Sequence, residues 1–406
     1  MVATFGLAPI QPGDAASPRA RDLGVPFPGT PGACNAITDV PGVEVGHRTL
    51  VAGDGVLVMG RGPVRTGVTA VFPQGRTFDG FVQAGVFVAN GTGELTGRAL
   101  IEEVGLFSGP VMLTGTGSVG VVRDAVIGWY RKRLGPDEER LFPHILPVVG
   151  ETYDGFLNDT FGQHVRAEDA FAAMDTARAG PVAEGSVGGG TGMMAFAFKG
   201  GIGTSSRVLP AELGGYTVGV LVQANFGGRS QLTVAGVPVG AEIKDLMPSR
   251  GSRKDGSIIA VIATDAPLLP HQLRRLALRA THGMARTGGM SGTTSGDIFL
   301  AFSTVAAKTD GPGHQVARFV DSFEMNPVLE ATALATEEAI VNSLVANVAM
   351  TGVNGNTVQA LPHDRLQRAL RDHGRLAADV RTSNATATTA NAQPGGSDSG
   401  SQCVAR

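Results

Sequence analysis

Short apolar runs recur along the chain at 67–72 (GVTAVF), 84–89 (AGVFVA), 145–149 (ILPVV), 193–198 (MMAFAF), 217–224 (TVGVLVQA), 258–263 (IIAVIA) and 298–303 (IFLAFS). Several are apolar at consecutive rather than alternate positions, which predicts strands covered on both faces. Helical spacing appears in three places. Val119, Val122, Val126, Trp129 and Leu134 predict a helix over 119–134. Pro270 suits a first helical turn, and Leu273, Leu276, Ala280 and Met284 follow on one face. A third helix begins near Pro362 and carries Leu366 and Leu370. Strands and helices in this arrangement predict an α+β fold of stacked sheets with helical outer layers.

The flanks read differently. Residues 1–33 are rich in Pro, Gly and Ala with little period, which predicts an extended arm laid over the body. Beyond residue 380 the composition falls to Thr, Ala, Asn, Gly and Ser, too little apolar area to offset chain entropy, so 381–406 is expected to be a disordered tail. No repeat or linker interrupts the middle, and 1–380 reads as one domain.

Charge and composition remove several classes of function. With 33 Lys and Arg against 36 Asp and Glu, the formal net charge is −3, so no basic field exists to gather phosphates, and neither a nucleic-acid nor a membrane partner is expected. The 59 glycines are about twice the usual share and call for many tight turns and close backbone approaches. Cys34 and Cys403 lie near opposite ends, so neither a disulfide framework nor a structural zinc site is expected, which fits a reducing compartment. The first residues show no charged n-region followed by an apolar stretch, and no run of about 18 apolar residues occurs; a cytoplasmic protein is expected.

Familiar motifs fail on context. The run GSVGGGTGMM at 185–194 is rich in bare amides, but no Gly-Lys-Ser/Thr follows and the next segment reads as a strand, so turn geometry or backbone packing is the better reading. In GTGSVG at 115–120, Thr116 stands where a nucleophile elbow around Ser118 needs glycine. The eight histidines never fall at metal-ligand spacing, and His271 and His282 read as solvated positions on a helix; no metal site is expected.

The junction at 249–268, SRGSRKDGSIIAVIATDAPL, carries more. A polar, Gly-containing segment from Ser249 to Gly256 ends abruptly at Ser257, where an apolar strand opens. Asp255-Gly256 is a common turn dipeptide, so the stretch reads locally as a turn before a strand. A second reading has the Ser257 hydroxyl attack the carbonyl of Gly256, where no side chain obstructs it. The acyl shift and hydrolysis that follow would expose an α-amine whose ordinary pKa of about 7.7–8.0 suits a general base beside its own hydroxyl.

Asp255-Gly256-Ser257-Ile258-Ile259 running into Ala263-Thr264-Asp265-Ala266-Pro267-Leu268, with Ser295-Gly296-Asp297-Ile298-Phe299 downstream, resembles the L-aminopeptidase/D-esterase (DmpA) family, which includes the β-peptidyl aminopeptidases. Asn35-Ala36-Ile37-Thr38-Asp39-Val40, Val43-Glu44-Val45-Gly46-His47, Val64-Arg65-Thr66-Gly67-Val68-Thr69, Gly93-Glu94-Leu95-Thr96-Gly97 and Glu151-Thr152-Tyr153-Asp154-Gly155 are similar to its recurring blocks. The likeness spans roughly residues 20–380.

The resemblance implies a four-layer αββα sandwich of the N-terminal-nucleophile-hydrolase type. It also implies self-cleavage between Gly256 and Ser257 into a large subunit, 1–256, and a small subunit, 257–406, which stay together and assemble as a homotetramer of heterodimers. The activity implied is that of a serine aminopeptidase without metal or organic cofactor, acting on small peptides, amides or esters with small N-terminal residues. Ser257 is then the nucleophile, with Asn225 and Tyr153 at the oxyanion and Glu151 on the substrate's ammonium. Ser295 and Asp297 form a polar pair near the nucleophile; β-peptidyl relatives are associated with Glu where this chain has Asp297. Two other readings stand beside this one. An acyltransferase like the ornithine acetyltransferases shares the fold but is expected to use threonine, and an unprocessed Gly-rich binding protein would use Ser257 only to start a strand.

Overall fold

The computed structural model describes residues 18–78, 80–249, 256–306, 308–377 and 403. The expected tail lies outside them except for Cys403, as does most of the polar segment before Ser257.

Two sheets and two helical layers build the body. The smaller sheet is ordered β1-β2-β5-β6, with β1 Glu44–Ala52, β2 Val64–Phe72, β5 Val111–Gly115 and β6 Val148–Thr152. The larger runs β4-β3-β10-β9-β8-β7, with β3 Phe81–Gly91, β4 Leu106–Ser108, β7 Gly201–Val208, β8 Thr217–Asn225, β9 Ser257–Thr264 and β10 Gly296–Ser303. Strand β9 lies antiparallel to β8 and parallel to β10. Helix α1, Val119–Leu134, and α2, Ala167–Asp175, cover the outer face of the small sheet, while α3, Pro270–Arg286, and α4, Asn326–Val345, cover that of the large one.

Three apolar interfaces separate the four layers, and side-chain alternation along the strands divides residues between them. Ile258, Ala260 and Ile262 of β9 pack toward the helices with Leu273, Leu276 and Ile340. Ile259 and Val261 point the other way, onto Leu113 and Val148 of the small sheet. Met112 and Val149 complete the outer interface against Val122 and Trp129. Every residue of β9 is buried, which explains why its sequence is apolar at consecutive positions. The expected αββα sandwich is the observed architecture.

Several details depart from the pattern. MMAFAF is a tight hairpin rather than one strand: Met194–Ala195 pairs with Phe198–Lys199, and Phe196 and Ala197 turn the chain at φ of 50° and 58°. Helix α4 has no amphipathic stripe because nearly all of it is buried, so its periodicity is silent. The described part of the arm, 18–33, docks, with Leu23, Val25 and Phe27 in the core that the helices cover, while 1–17 lie outside the described residues. In the Gly-rich stretch a Cβ on Gly190 would stand 2.4 Å from the amide nitrogen of Ile202, so close backbone packing accounts for glycine there. The cysteine expectation is corrected. Cys34 and Cys403 form a disulfide, Cα atoms 5.2 Å apart, which distance in sequence concealed.

Candidate active site

The parallel strands β9 and β10 start side by side, and the antiparallel strand β8 ends beside them. Register pairing places Asn225, the last residue of β8, opposite Ser257, the first of β9. Both are nearly buried, 9% and 6% exposed. The Ser257 Oγ accepts a hydrogen bond of 3.0 Å from the Gly296 amide, which leaves the hydroxyl proton for a base to take. Gly256 approaches the end of β8 so closely that a Cβ there would lie 1.9 Å from the Asn225 carbonyl oxygen. Glycine is required at that bond by space, a stronger reason than freedom of approach to its carbonyl.

Two bonds hold the Asn225 amide. Its Oδ1 accepts from the Met194 amide at 2.8 Å and its Nδ2 donates to the Tyr153 carbonyl at 3.0 Å. An amide nitrogen carries two hydrogens, so one N–H of Asn225, its orientation fixed, is without a partner among the described residues.

Glu151 lies on β6, in the sheet facing Ser257, and is 4% exposed. Its Oε1 accepts from the Glu94 amide at 3.0 Å and its other oxygen from the Thr116 hydroxyl. A Cβ on Gly93 would sit 3.3 Å from Glu151 Oε1 and 2.8 Å from the Cα of Gly296, whose amide holds Ser257, so the carboxylate lies close to the backbone that holds Ser257. Burial pushes the Glu151 carboxyl above the usual carboxylate range, opposed by the two donors.

Strand β6 ends at Thr152, so Tyr153 lies just outside it. Tyr153 is 39% exposed, with its phenol folded back over Gly155. Below it, Asp154 accepts from Thr66 at 2.7 Å and Thr160 at 2.6 Å, tying down the turn that presents the Tyr153 carbonyl to Asn225. Ser295 and Asp297 flank Gly296 and are joined by a 2.6 Å bond from the Ser295 hydroxyl to Asp297 Oδ1. A bulge between β10 and β3 falls between Asp297 and Ile298, where such irregularities re-aim side chains. Among the described residues no group of three or more His, Cys, Asp or Glu is placed to hold a metal ion.

Residues 35–358 match peptidase family S58. The chain belongs to that family. The β-peptidyl aminopeptidase BapA of Sphingosinicella xenopeptidilytica is 52% identical over 370 residues, 88% of this chain and 92% of that one. A Burkholderia β-aminopeptidase structure superposes with a TM-score of 0.78 at 47% identity, over 88% of this chain and 99% of that one. The L-aminopeptidase D-Ala-esterase/amidase of Ochrobactrum anthropi, described as a prototype serine aminopeptidase with a variant N-terminal nucleophile hydrolase fold, gives 0.80 at 44% identity over 89% and 100%. This S58 member is accordingly an aminopeptidase on that fold, and the acyltransferase and binding-protein readings are not favoured.

Within the S58 fold, the structure brings Ser257, Asn225 and Gly256 together, places Glu151 across the space between the sheets, and sets Ser295 and Asp297 on either side of the amide that holds Ser257. Sequence reasoning missed Thr116, which entered only as the residue that breaks a nucleophile elbow, and missed the Gly296 and Glu94 amides, since backbone donors carry no side-chain signal. Lys199 was missed as well. Its fully buried Nζ donates to the Met193 and Gly200 carbonyls, both at 2.7 Å, and so ties down the hairpin whose Met194 amide orients Asn225. Burial lowers this ammonium to about 7.

Proposed function

We propose that this aminopeptidase matures by cutting itself between Gly256 and Ser257 and then works through the new N-terminal serine. The Ser257 Oγ attacks the Gly256 carbonyl carbon, the peptide nitrogen leaves as the Ser257 amine, and water hydrolyses the resulting ester. In turnover the hydroxyl attacks the first carbonyl of a substrate while the free amine takes its proton. The free N–H of Asn225 stabilises the oxyanion, and the Tyr153 phenol swings in to assist it. The leaving amine recovers a proton, and water releases the acyl group from Ser257.

Glu151 binds the substrate's ammonium, which limits cutting to the first residue because an internal peptide has no charge to offer there. The Ser295–Asp297 pair orients the amine of Ser257. Small N-terminal residues, including β-amino residues in view of the relatives' names, are the substrate class. The working form is a homotetramer of cleaved heterodimers.

The observation that carries this reading is the placement of Ser257 at the start of a buried strand, its hydroxyl held by the Gly296 amide opposite Asn225. Denaturing mass spectrometry under reducing conditions, with N-terminal sequencing, tests it. Wild type is expected to give chains of roughly 26 and 15 kDa, the smaller beginning Ser-Ile-Ile, and Ser257→Ala one intact chain. An intact wild-type chain with full activity would overturn it.

A further inference from the structure

Cys34 stands 222 residues before the junction at Gly256–Ser257 and Cys403 stands 146 after Ser257, so their disulfide crosses the cleavage point. We propose that this bond keeps the mature enzyme a single covalent molecule, a disulfide-linked heterodimer, after the peptide bond is cut. The inference rests on the self-cleavage proposed above; the disulfide itself does not.

The Cys34 side is held in place. Its amide donates to Asp39 Oδ1 at 2.8 Å, and its carbonyl and that of Asn35 both accept from the Arg19 guanidinium, at 3.0 and 2.9 Å. The loop is fastened to β7, where the Gly32 amide donates to the Ser206 hydroxyl at 2.9 Å. Cys403 is therefore brought to a fixed partner on the larger product, and the Cα separation of 5.2 Å lies within the range a disulfide spans.

In the folded state the link adds little to holding the two chains together. The smaller product supplies β9 and β10 to the middle of the large sheet, and its Glu338 carboxylate pairs with Arg21 and Arg207 of the larger product, each at 2.8 Å. The bond matters once those contacts are lost. Two untethered chains must meet again by diffusion, whereas joined chains refold at a high effective concentration that dilution does not change.

Formation is a two-electron oxidation. One cysteine thiolate attacks the disulfide of an oxidant, a disulfide oxidoreductase or a small-molecule disulfide, and releases one of its sulfurs as a thiol. The second thiolate then displaces the other sulfur, leaving Cys34–Cys403 and a reduced dithiol that carries the two electrons and two protons. Such an oxidant belongs to an oxidising compartment.

The test is intact mass in denaturant with iodoacetamide, with and without reductant, on wild type, Cys34→Ser, Cys403→Ser and Ser257→Ala. Without reductant, wild type is expected as one species of full mass plus one water and minus two hydrogens; with reductant, as two chains. Either cysteine variant is expected as two chains in both conditions, with its refolding yield falling on dilution while that of wild type does not. Two wild-type chains without reductant, each alkylated, would overturn the covalent link. One wild-type species in both conditions would mean that cleavage had failed, and the link between products falls with it. Ser257→Ala then separates the disulfide from cleavage: no alkylation without reductant confirms the bond in the intact chain, and two alkylated thiols disprove it.

Discussion

Asn225 and Ser257 are register partners, the last residue of one strand facing the first of the next, and the carbonyl of Asn225 presses against Gly256 so tightly that no side chain fits between them. One strand end thus crowds, through its backbone, the bond at which cleavage is proposed, and carries the side chain proposed to serve Ser257.

Replacing Gly256 with Ala is expected to block or slow maturation by orders of magnitude, because the added methyl meets a carbonyl oxygen rather than a movable side chain. The fraction of cleaved chain against time after synthesis measures this, with circular dichroism to show that the variant folds. Rapid cleavage of Gly256→Ala would remove the steric role.

Asn225→Ala is expected to lower kcat by about 10²–10³, the usual cost of one oxyanion donor, with KM little changed. Steady-state kinetics on an amino-acid p-nitroanilide reads both, using protein already shown to be cleaved. A KM effect alone would move Asn225 from the transition state to substrate binding.

Glu151→Gln is expected to raise KM for free-amine substrates and to cost about 10–100-fold in kcat/KM, the loss of a charge-assisted hydrogen bond. Burial holds the Glu151 carboxyl above its ordinary range, so it must lose its proton before it can attract an ammonium. The acid side of the kcat/KM profile in wild type therefore carries two protonations, that of the Ser257 amine and that of Glu151 above the ordinary carboxylate pKa of about 4.3, and in the variant only that of the amine remains. An unchanged acid side in Glu151→Gln would assign the second protonation elsewhere.

Lys199 makes a prediction about stability. Its folded-state value of about 7 lies below the ordinary 10.5, so between these values the unfolded chain binds more protons. Its contribution to stability rises with pH across that window and is least favourable below about 7. Denaturant midpoints of wild type measured against Lys199→Met from pH 7 to pH 10 are expected to shift in favour of wild type as pH rises. A constant difference would show that the buried amine does not titrate there.

The strands and two of the long helices were legible because each carries a one-sided or doubly buried apolar pattern. Helix α4 was not, since a helix buried all round has no polar face to mark its period. MMAFAF read as a strand because its apolar content resembles one, yet two residues at positive φ fold it into the hairpin that orients Asn225. In the site, Ser257 stood out at an abrupt change of polarity, and the other candidates entered through blocks resembling a family. Thr116 stayed hidden because its only function in view is a hydroxyl pointed at a carboxylate on a neighbouring strand.

The sequence by itself determined the layered α+β architecture, the family, and the bond at which cleavage is proposed, because these depend on local periodicity and on ordered blocks of residues. The tertiary structure alone decided what surrounds that bond: the Gly296 amide on the serine, the fixed amide of Asn225, the carboxylate of Glu151 across the sheets, and the pairing of Cys34 with Cys403. Those relationships join positions tens to hundreds of residues apart, and only packing brings them within bonding distance.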